Sequence, residues 1–185
     1  MQEPVKLPTG DNSIVWGNKN GKIELKIFND FLCGYCKIAG ERYRKIVEKS
    51  FPGAKIEFIS YPLNYERNNT SGSDNTNVFL SKIMLAARHD KDFWHFHDAV
   101  IGQPFIPDSL AIMNLAKKHL KDYPGFEKEC FSSKNDSILS YNVKLAAQLN
   151  ISGTPAIYIN GRKFTEWTNI ELLKMIIAEE THIKP

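Results

Sequence analysis

No apolar run in this 185-residue sequence approaches the roughly 18 to 20 residues that a bilayer-crossing helix needs. No membrane span is therefore expected. The N-terminal stretch MQEPVKLPTG has no apolar core of the kind a secretory signal carries. Mature exported proteins lose that signal, so its absence leaves the compartment open. Basic clusters are missing too: 24 lysines and arginines stand against 21 aspartates and glutamates, with no basic run and no basic stripe interleaved with aromatics. Nucleic acid is accordingly excluded as the expected partner. Cysteine is scarce, with three in the chain, Cys33, Cys36 and Cys130. A zinc site would need two ligands beyond the Cys33–Cys36 pair, and Cys130 stands alone in a distant segment, so no metal is expected.

What is present fits one globular domain with a large insertion, since 42% of the residues are apolar and can bury a real core. Residues 1–12 are rich in Pro, Gly, Asn and Asp and read as an extended arm. Regular structure is expected from Ile14-Val15-Trp16-Gly17. Ile23, Leu25 and Ile27 then alternate with Lys22, Glu24 and Lys26, the period of a strand, predicted over 22–29. From Gly34 the period changes. Cys36, Ala39, Tyr43, Ile46, Val47 and Ser50 share one helical face, Lys37, Glu41, Arg44 and Lys45 fall away from it, and Phe51-Pro52-Gly53 ends the helix. A second strand is predicted over 54–61. The order β, α, β implies a parallel pair with a right-handed crossover.

Residues 64–77 read as a polar loop, and beyond it strand signals vanish until Ala156. Helical stripes replace them: Phe79, Leu80, Ile83, Met84 and Ala87; Phe93, Phe96, Val100 and Ile101; Ile112, Met113, Ala116 and Leu120; Ile138, Tyr141, Leu145 and Leu149. Each is read as core packing in a helical insertion between two halves of a sheet. The predicted division is 1–66 and 150–185 for the sheet-bearing parts and 67–149 for the inserted all-helical subdomain. A strand over 156–159 leads into Asn160-Gly161, a type I′ hairpin signal. Thr168 and Glu171 form a capping box that opens a last helix, with Ile170, Leu173, Ile176 and Ile177 on one face.

The two cysteines of FNDFLCGYCKIAG stand three apart across the first turn of the first helix, close enough to be bridged. Such a ring is too small to stabilise a core-sufficient domain by chain entropy. Reactivity explains it better. At the helix N-terminus, Cys33 meets unpaired backbone N–H groups and the positive end of the helix dipole, which favour the nucleophilic thiolate. Cys36, on the apolar stripe, is shielded. This predicts that Cys33 carries the mixed disulfide and Cys36 resolves it. His95 and His97, two apart, do not share a helix face and are read as solvated or capping. His89, His119 and His182 are isolated, and Cys130 is read as a buried or partly buried free thiol.

A strand, CxxC at a helix start, a second strand, a helical insertion and then ISGTPAIYINGRKF together resemble a DsbA-like thiol:disulfide oxidoreductase of the thioredoxin-fold superfamily. FNDFLCGYC is similar to that family's active-site segment, KDFWHFHDAVIG to a helical stretch of its inserted domain, and GTPAIYINGRKF to its cis-proline loop and hairpin. The resemblance implies an α/β thioredoxin fold, a mixed central sheet flanked by helices. It also implies a redox-active Cys33–Cys36 disulfide and no other cofactor, with Gly34 and Tyr35 between the cysteines and Thr154 and Pro155 facing them. Peptide binding would follow if the Thr154 backbone paired with an extended substrate segment. Apolar surface at Phe31, Leu32 and Tyr35 would hold the same chain.

Two departures from the family pattern stand out. Gly34 and Tyr35 occupy the positions where DsbA-like oxidases often carry proline and histidine, and tyrosine supplies no positive charge, so a less oxidising pair is expected. The buried acid that many thioredoxin-fold enzymes place six residues before the first cysteine falls on Ile27. Proton transfer to Cys36 must then use water or another group; Asp30 is a candidate, although a loop-capping carboxylate is the preferred reading for it. Cys-Gly-Tyr-Cys with Thr ahead of the proline is also similar to the disulfide isomerase DsbC. That enzyme has an N-terminal dimerisation domain, which the residues before Lys22 are too few to form, so a DsbA-like monomer is expected. The implied partners are cysteine-containing protein substrates and a membrane redox partner that reoxidises or reduces the enzyme. The implied compartment is periplasmic or otherwise extracytoplasmic. Electron flow stays open between oxidase and reductase or isomerase, and a non-catalytic binding or redox-sensing module is the reading from another class.

Overall fold

The computed structural model describes residues 3–7, 11–63, 65, 76–105 and 107–181. Among them run five strands and seven helices: β1 (Ile14–Gly17), β2 (Ile23–Asn29), α1 (Gly34–Ser50), β3 (Ala54–Ser60), α2 (Thr76–Ala87), α3 (Phe93–Ile101), α4 (Ser109–His119), α5 (Tyr123–Cys130), α6 (Ser133–Gln148), β4 (Ala156–Ile159), β5 (Arg162–Phe164) and α7 (Ile170–Thr181). Most of the polar loop expected over 64–77, and His182, lie outside the described residues.

The strands form one mixed sheet in the order β1-β3-β2-β4-β5. β2 and β3 are parallel, and β1, β4 and β5 each pair antiparallel to a neighbour. Strand alternation divides the sheet into two faces. Ile23, Leu25 and Ile27 of β2, Ile56 and Phe58 of β3, and Ile157 and Ile159 of β4 enter the larger core, together with Tyr43 and Val47 of α1 and Leu173 and Ile177 of α7. Phe28, Ile59 and Tyr158 point the other way, onto Ala146 of α6. The two faces are therefore both covered, as the parallel pair requires. Leu80, Met84, Phe93 and Phe96 of the helical segment belong to the same core as the sheet residues, so the helices after β3 pack directly on it.

Several local readings shift. β2 and β3 are each one residue shorter than predicted. α2 is buried nearly all round rather than along one stripe, because Val78 and Leu85 face Ile138 and Leu139 of α6 while Leu80 and Met84 face the main core. Asn77 is part of α2, not of a loop, and its Nδ2 donates to the Leu63 carbonyl at 2.7 Å. On α6 the inward face is Asn135, Ile138, Leu139, Asn142 and Ala146, and Tyr141 is exposed. The cap of α7 is Asn169, whose Oδ1 accepts the Leu172 N–H at 3.1 Å, instead of Thr168.

Lys26, one of the polar residues that alternate with Ile23, Leu25 and Ile27, is 2% exposed and lies opposite Glu57 in the parallel register, with Nζ donating to Glu57 at 3.0 Å. The hairpin turn has the expected backbone, with φ of 45° at Asn160 and 81° at Gly161. A side chain at Gly161 would collide with the Val5 carbonyl, and the Val5 N–H donates to the Gly161 carbonyl at 2.9 Å, which ties the N-terminal arm to this end of the sheet.

Candidate active site

The chain leaves β2 at Asp30 in a turn that is hydrogen-bonded throughout. The Asp30 carboxylate accepts the Leu32 N–H through Oδ1 and the Leu63 N–H through Oδ2, both at 2.8 Å, and the Asp30 carbonyl accepts the Cys33 N–H at 3.1 Å. Asp30 is 3% exposed, so its carboxylate is the loop cap that the sequence reading preferred. This turn delivers Cys33 to the N-cap position of α1. Its backbone is extended, with φ of −77° and ψ of 114°, and its side chain makes no capping bond. The sulfur therefore stays available on the outside of the turn, half-buried.

Cys36 sits one turn in, 2% exposed. Burial pushes its thiol up to about 12, against a smaller pull from the Thr154 side chain and the Asp30 backbone. One turn further along the same face, Gly40 lets α1 approach the sheet: a Cβ there would stand 3.2 Å from the Phe58 ring. Ile27 and Phe58 are register partners on the sheet face beneath α1, so the floor under the cysteines is apolar.

The loop before β4 closes the site. The Thr154–Pro155 peptide bond is cis, and the Cys33 Sγ–H donates to the Thr154 carbonyl at 3.3 Å. Thr154 Oγ1 is buried without a conventional partner, yet the side chain acts on the Cys36 sulfur as a neighbour that favours the thiolate. Cys33, Cys36, Thr154 and Pro155 thus converge. Gly34 and Tyr35 lie on the outer surface. Nothing stands within 4 Å of a Cβ built at Gly34, so no steric demand fixes glycine there, and Tyr35 is 65% exposed with its ring edge-on to Trp167 at 5.8 Å.

Beside Cys33 opens an apolar groove of about 150 Å3, whose walls include Phe31, Leu32, Pro104 and Phe105. Phe105, 84% exposed, was not anticipated. Its signal is an aromatic bracketed by Pro104 and Pro107, outside every helical stripe. His97 was misread: its side chain is 17% exposed, with Phe31, Phe93 and Trp94 rings around it, while His95 is solvated as expected. Among the described residues no three His, Cys, Asp or Glu side chains converge as a metal site. Cys130, on α5, is partly buried, and burial with Glu127 and Glu129 nearby pushes it up to about 11.

The geometry predicts a graded thiol reactivity. Reduced native protein exposed to iodoacetamide at pH 7 should gain one carboxamidomethyl group, on Cys33, and all three cysteines should react once the chain is unfolded. Raising the pH should open Cys130, near 11, before Cys36, near 12. Intact mass and peptide mapping read both orders.

Known proteins give the context. The family model described as Thioredoxin matches residues 9–179. Disulfide bond formation protein D of Bacillus subtilis strain 168 is 23% identical over 181 residues, covering 90% of this chain and 76% of that protein. The solved structure of oxidised BdbD from Bacillus subtilis superposes with a TM-score of 0.72 at 17% identity, over 94% of this chain and 95% of that one. The thiol-disulfide exchange protein alpha-DsbA2 from Wolbachia pipientis superposes with a TM-score of 0.75 at 20% identity, over 90% and 86%. The mixed sheet, the cysteine pair at the start of α1 and a family match spanning nearly the whole chain place this protein in the thioredoxin family.

Proposed function

We propose that the chain is a DsbA-like thiol:disulfide oxidoreductase that exchanges its Cys33–Cys36 disulfide with cysteines of exported proteins. The observation that carries this reading is the asymmetry of the pair: Cys33 is half-buried at the α1 N-cap against Thr154, and Cys36 is 2% exposed behind it. Cys33 takes up the substrate sulfur as a mixed disulfide, and Cys36 releases it. No cofactor beyond the cysteine pair enters the exchange. The Thr154 carbonyl, held by the Cys33 thiol in this state, is released when that sulfur loses its proton or becomes bridged. It can then accept an N–H from an extended substrate chain lying along the Phe31, Leu32 and Phe105 groove. Leu32 and Tyr35, both exposed, add apolar contact beside the sulfur.

The proposed compartment is periplasmic or otherwise extracytoplasmic, where disulfides persist, and the proposed working form is a monomer served by a membrane redox partner. Similarity to a disulfide bond formation protein favours the oxidising direction. Equilibrating the pair with reduced and oxidised glutathione, followed by mass, tests the direction. A potential near or above about −200 mV is expected for an oxidase, and a value near about −270 mV would assign the chain to reduction. Gly34-Tyr35 in place of Pro-His sets the expectation toward the lower end of the oxidase range.

A further inference from the structure

Behind the first turns of α1 lies a cavity of about 400 Å3. Its walls bring together Cys36 of α1, His97 and Asp98 of α3, and the rings of Trp16, Phe58 and Trp94. α1 and α3 are clamped on either side of it. Lys37 Nζ donates to the Ile101 carbonyl at 2.9 Å, and Arg44 grips the Asp98 carboxylate with two N–H groups at 2.7 and 3.1 Å. Asp98 Oδ1 also stands 2.8 Å from His97 Nδ1. A carboxylate only accepts, so it holds the proton on Nδ1 and leaves the Nε2 lone pair as the basic site. Nε2 has no hydrogen-bond partner among the described residues.

Cys36 must lose a proton to resolve a mixed disulfide and regain one when it leaves, and Ile27 and Phe58, register partners on the sheet floor beneath α1, carry no titratable group. The other charged groups at the cavity are engaged. Asp30 is bound by the Leu32 and Leu63 N–H groups, Lys37 by Ile101, Arg44 by Asp98, and Lys45 by Glu41 at 2.6 Å. Glu48 is exposed and stands three turns along α1, roughly 18 Å from Cys36 by helical rise.

We propose that His97 is the proton acceptor and donor for Cys36, acting through water in the shared cavity, with Asp98 and Arg44 as positioning residues. The inference rests on the oxidoreductase reading above. In the resolving step Cys36 S–H passes its proton through water to His97 Nε2. The Cys36 thiolate then attacks Cys33 Sγ, the Cys33–substrate S–S bond breaks, and the substrate leaves as a thiolate that takes a proton from solvent or from the imidazolium. In the opposite direction a substrate thiolate attacks Cys33 of the bridged pair, and the departing Cys36 thiolate takes, through the cavity water, a proton that His97 Nε2 has first gained from solvent. Two electrons move between sulfurs in each case, and no further oxidant or reductant is required. Burial lowers the pKa of His97, partly offset by Asp98, so the ring is a neutral base at pH 7.

The reaction of the reduced intact chain with oxidised glutathione, followed by stopped-flow tryptophan fluorescence, separates the two steps. The bimolecular attack by Cys33 rises linearly with glutathione, and the plateau at high concentration is the unimolecular resolution by Cys36. His97→Gln should lower the plateau about 10²-fold at pH 7, remove its histidine inflection from the pH profile, and be partly rescued by added imidazole. The bimolecular step, measured in a Cys36→Ser background, should not change. An unchanged plateau and profile overturns the proposal. So does a parallel fall in both steps, which would mark His97 as a packing residue. The unmodified chain gives a check that needs no variant: the plateau inflection must coincide with the NMR titration of the His97 Cε1–H, and a mismatch beyond about one pH unit overturns the proposal. Failure of the oxidoreductase reading itself shows elsewhere, as an absent bimolecular step.

Discussion

Cys33→Ser is expected to reduce insulin reduction and peptide oxidation to the uncatalysed background, while Cys36→Ser should accumulate a one-to-one mixed disulfide with substrate. The two substitutions remove sulfurs of opposite exposure. Cys33 is the sulfur an incoming chain can reach, because the Asp30 turn presents it half-buried at the start of α1, where it donates to the Thr154 carbonyl. Without it no mixed disulfide forms. Cys36, with a thiol near 12, is ionised at pH 7 to only about one part in 10⁵ and is shielded from a protein substrate. Its loss leaves the first transfer intact and blocks the second, so the covalent intermediate survives gel electrophoresis without reductant and is read directly by mass. If the wild type raised neither rate above the uncatalysed background and Cys36→Ser trapped nothing, the pair would be a bystander, and the non-catalytic binding module would be the surviving interpretation.

Much of this site is written locally. The change from a two-residue to a 3.6-residue period at Gly34 placed the cysteines at a helix start, and Asn160-Gly161 announced the hairpin behind Thr154 and Pro155. Chain-local signals also decided the boundaries, and the one at α7 slipped by a residue because Thr168 and Asn169 both cap well. His97 was legible in principle. Phe93 at i−4 and Trp94 at i−3 share its helix face, so the ring had to enter an aromatic neighbourhood. Reading it only against His95 missed that. What the sequence could not disclose is which sheet face would be wet. β2 alternates as a strand with one solvated side should, yet α6, far along the chain, covers that side. Asn142 of α6 donates to the Ser60 carbonyl at 3.1 Å, and the lysine between Leu25 and Ile27, on the same face as Phe28, is 2% exposed.

That burial sets the largest expected stability effect. Glu57→Leu should cost about 3–5 kcal/mol, because it removes the anion paired with a lysine whose side chain is 2% exposed. Glu57 accepts from Lys26 and Lys55, each at 3.0 Å, and its own side chain is 3% exposed. After the substitution Lys55 keeps Glu24 at 2.6 Å near the surface, whereas Lys26 faces the same Glu24 at 3.5 Å from a site it cannot easily leave. A fall in Tm on the order of 10 °C follows for a chain of this size. Adding Lys26→Met to Glu57→Leu should recover most of the loss, since two apolar side chains of similar volume desolvate no charge. Urea denaturation of the wild type, both single variants and the double gives the coupling energy directly. Additive losses would mean that Lys26 reaches water when Glu57 is gone, and that the covered face is looser than its packing implies. A strongly non-additive cycle, with insulin reduction unchanged in the double variant, would locate the pair as a structural lock on β2 and β3, separate from the chemistry on the opposite face of the sheet.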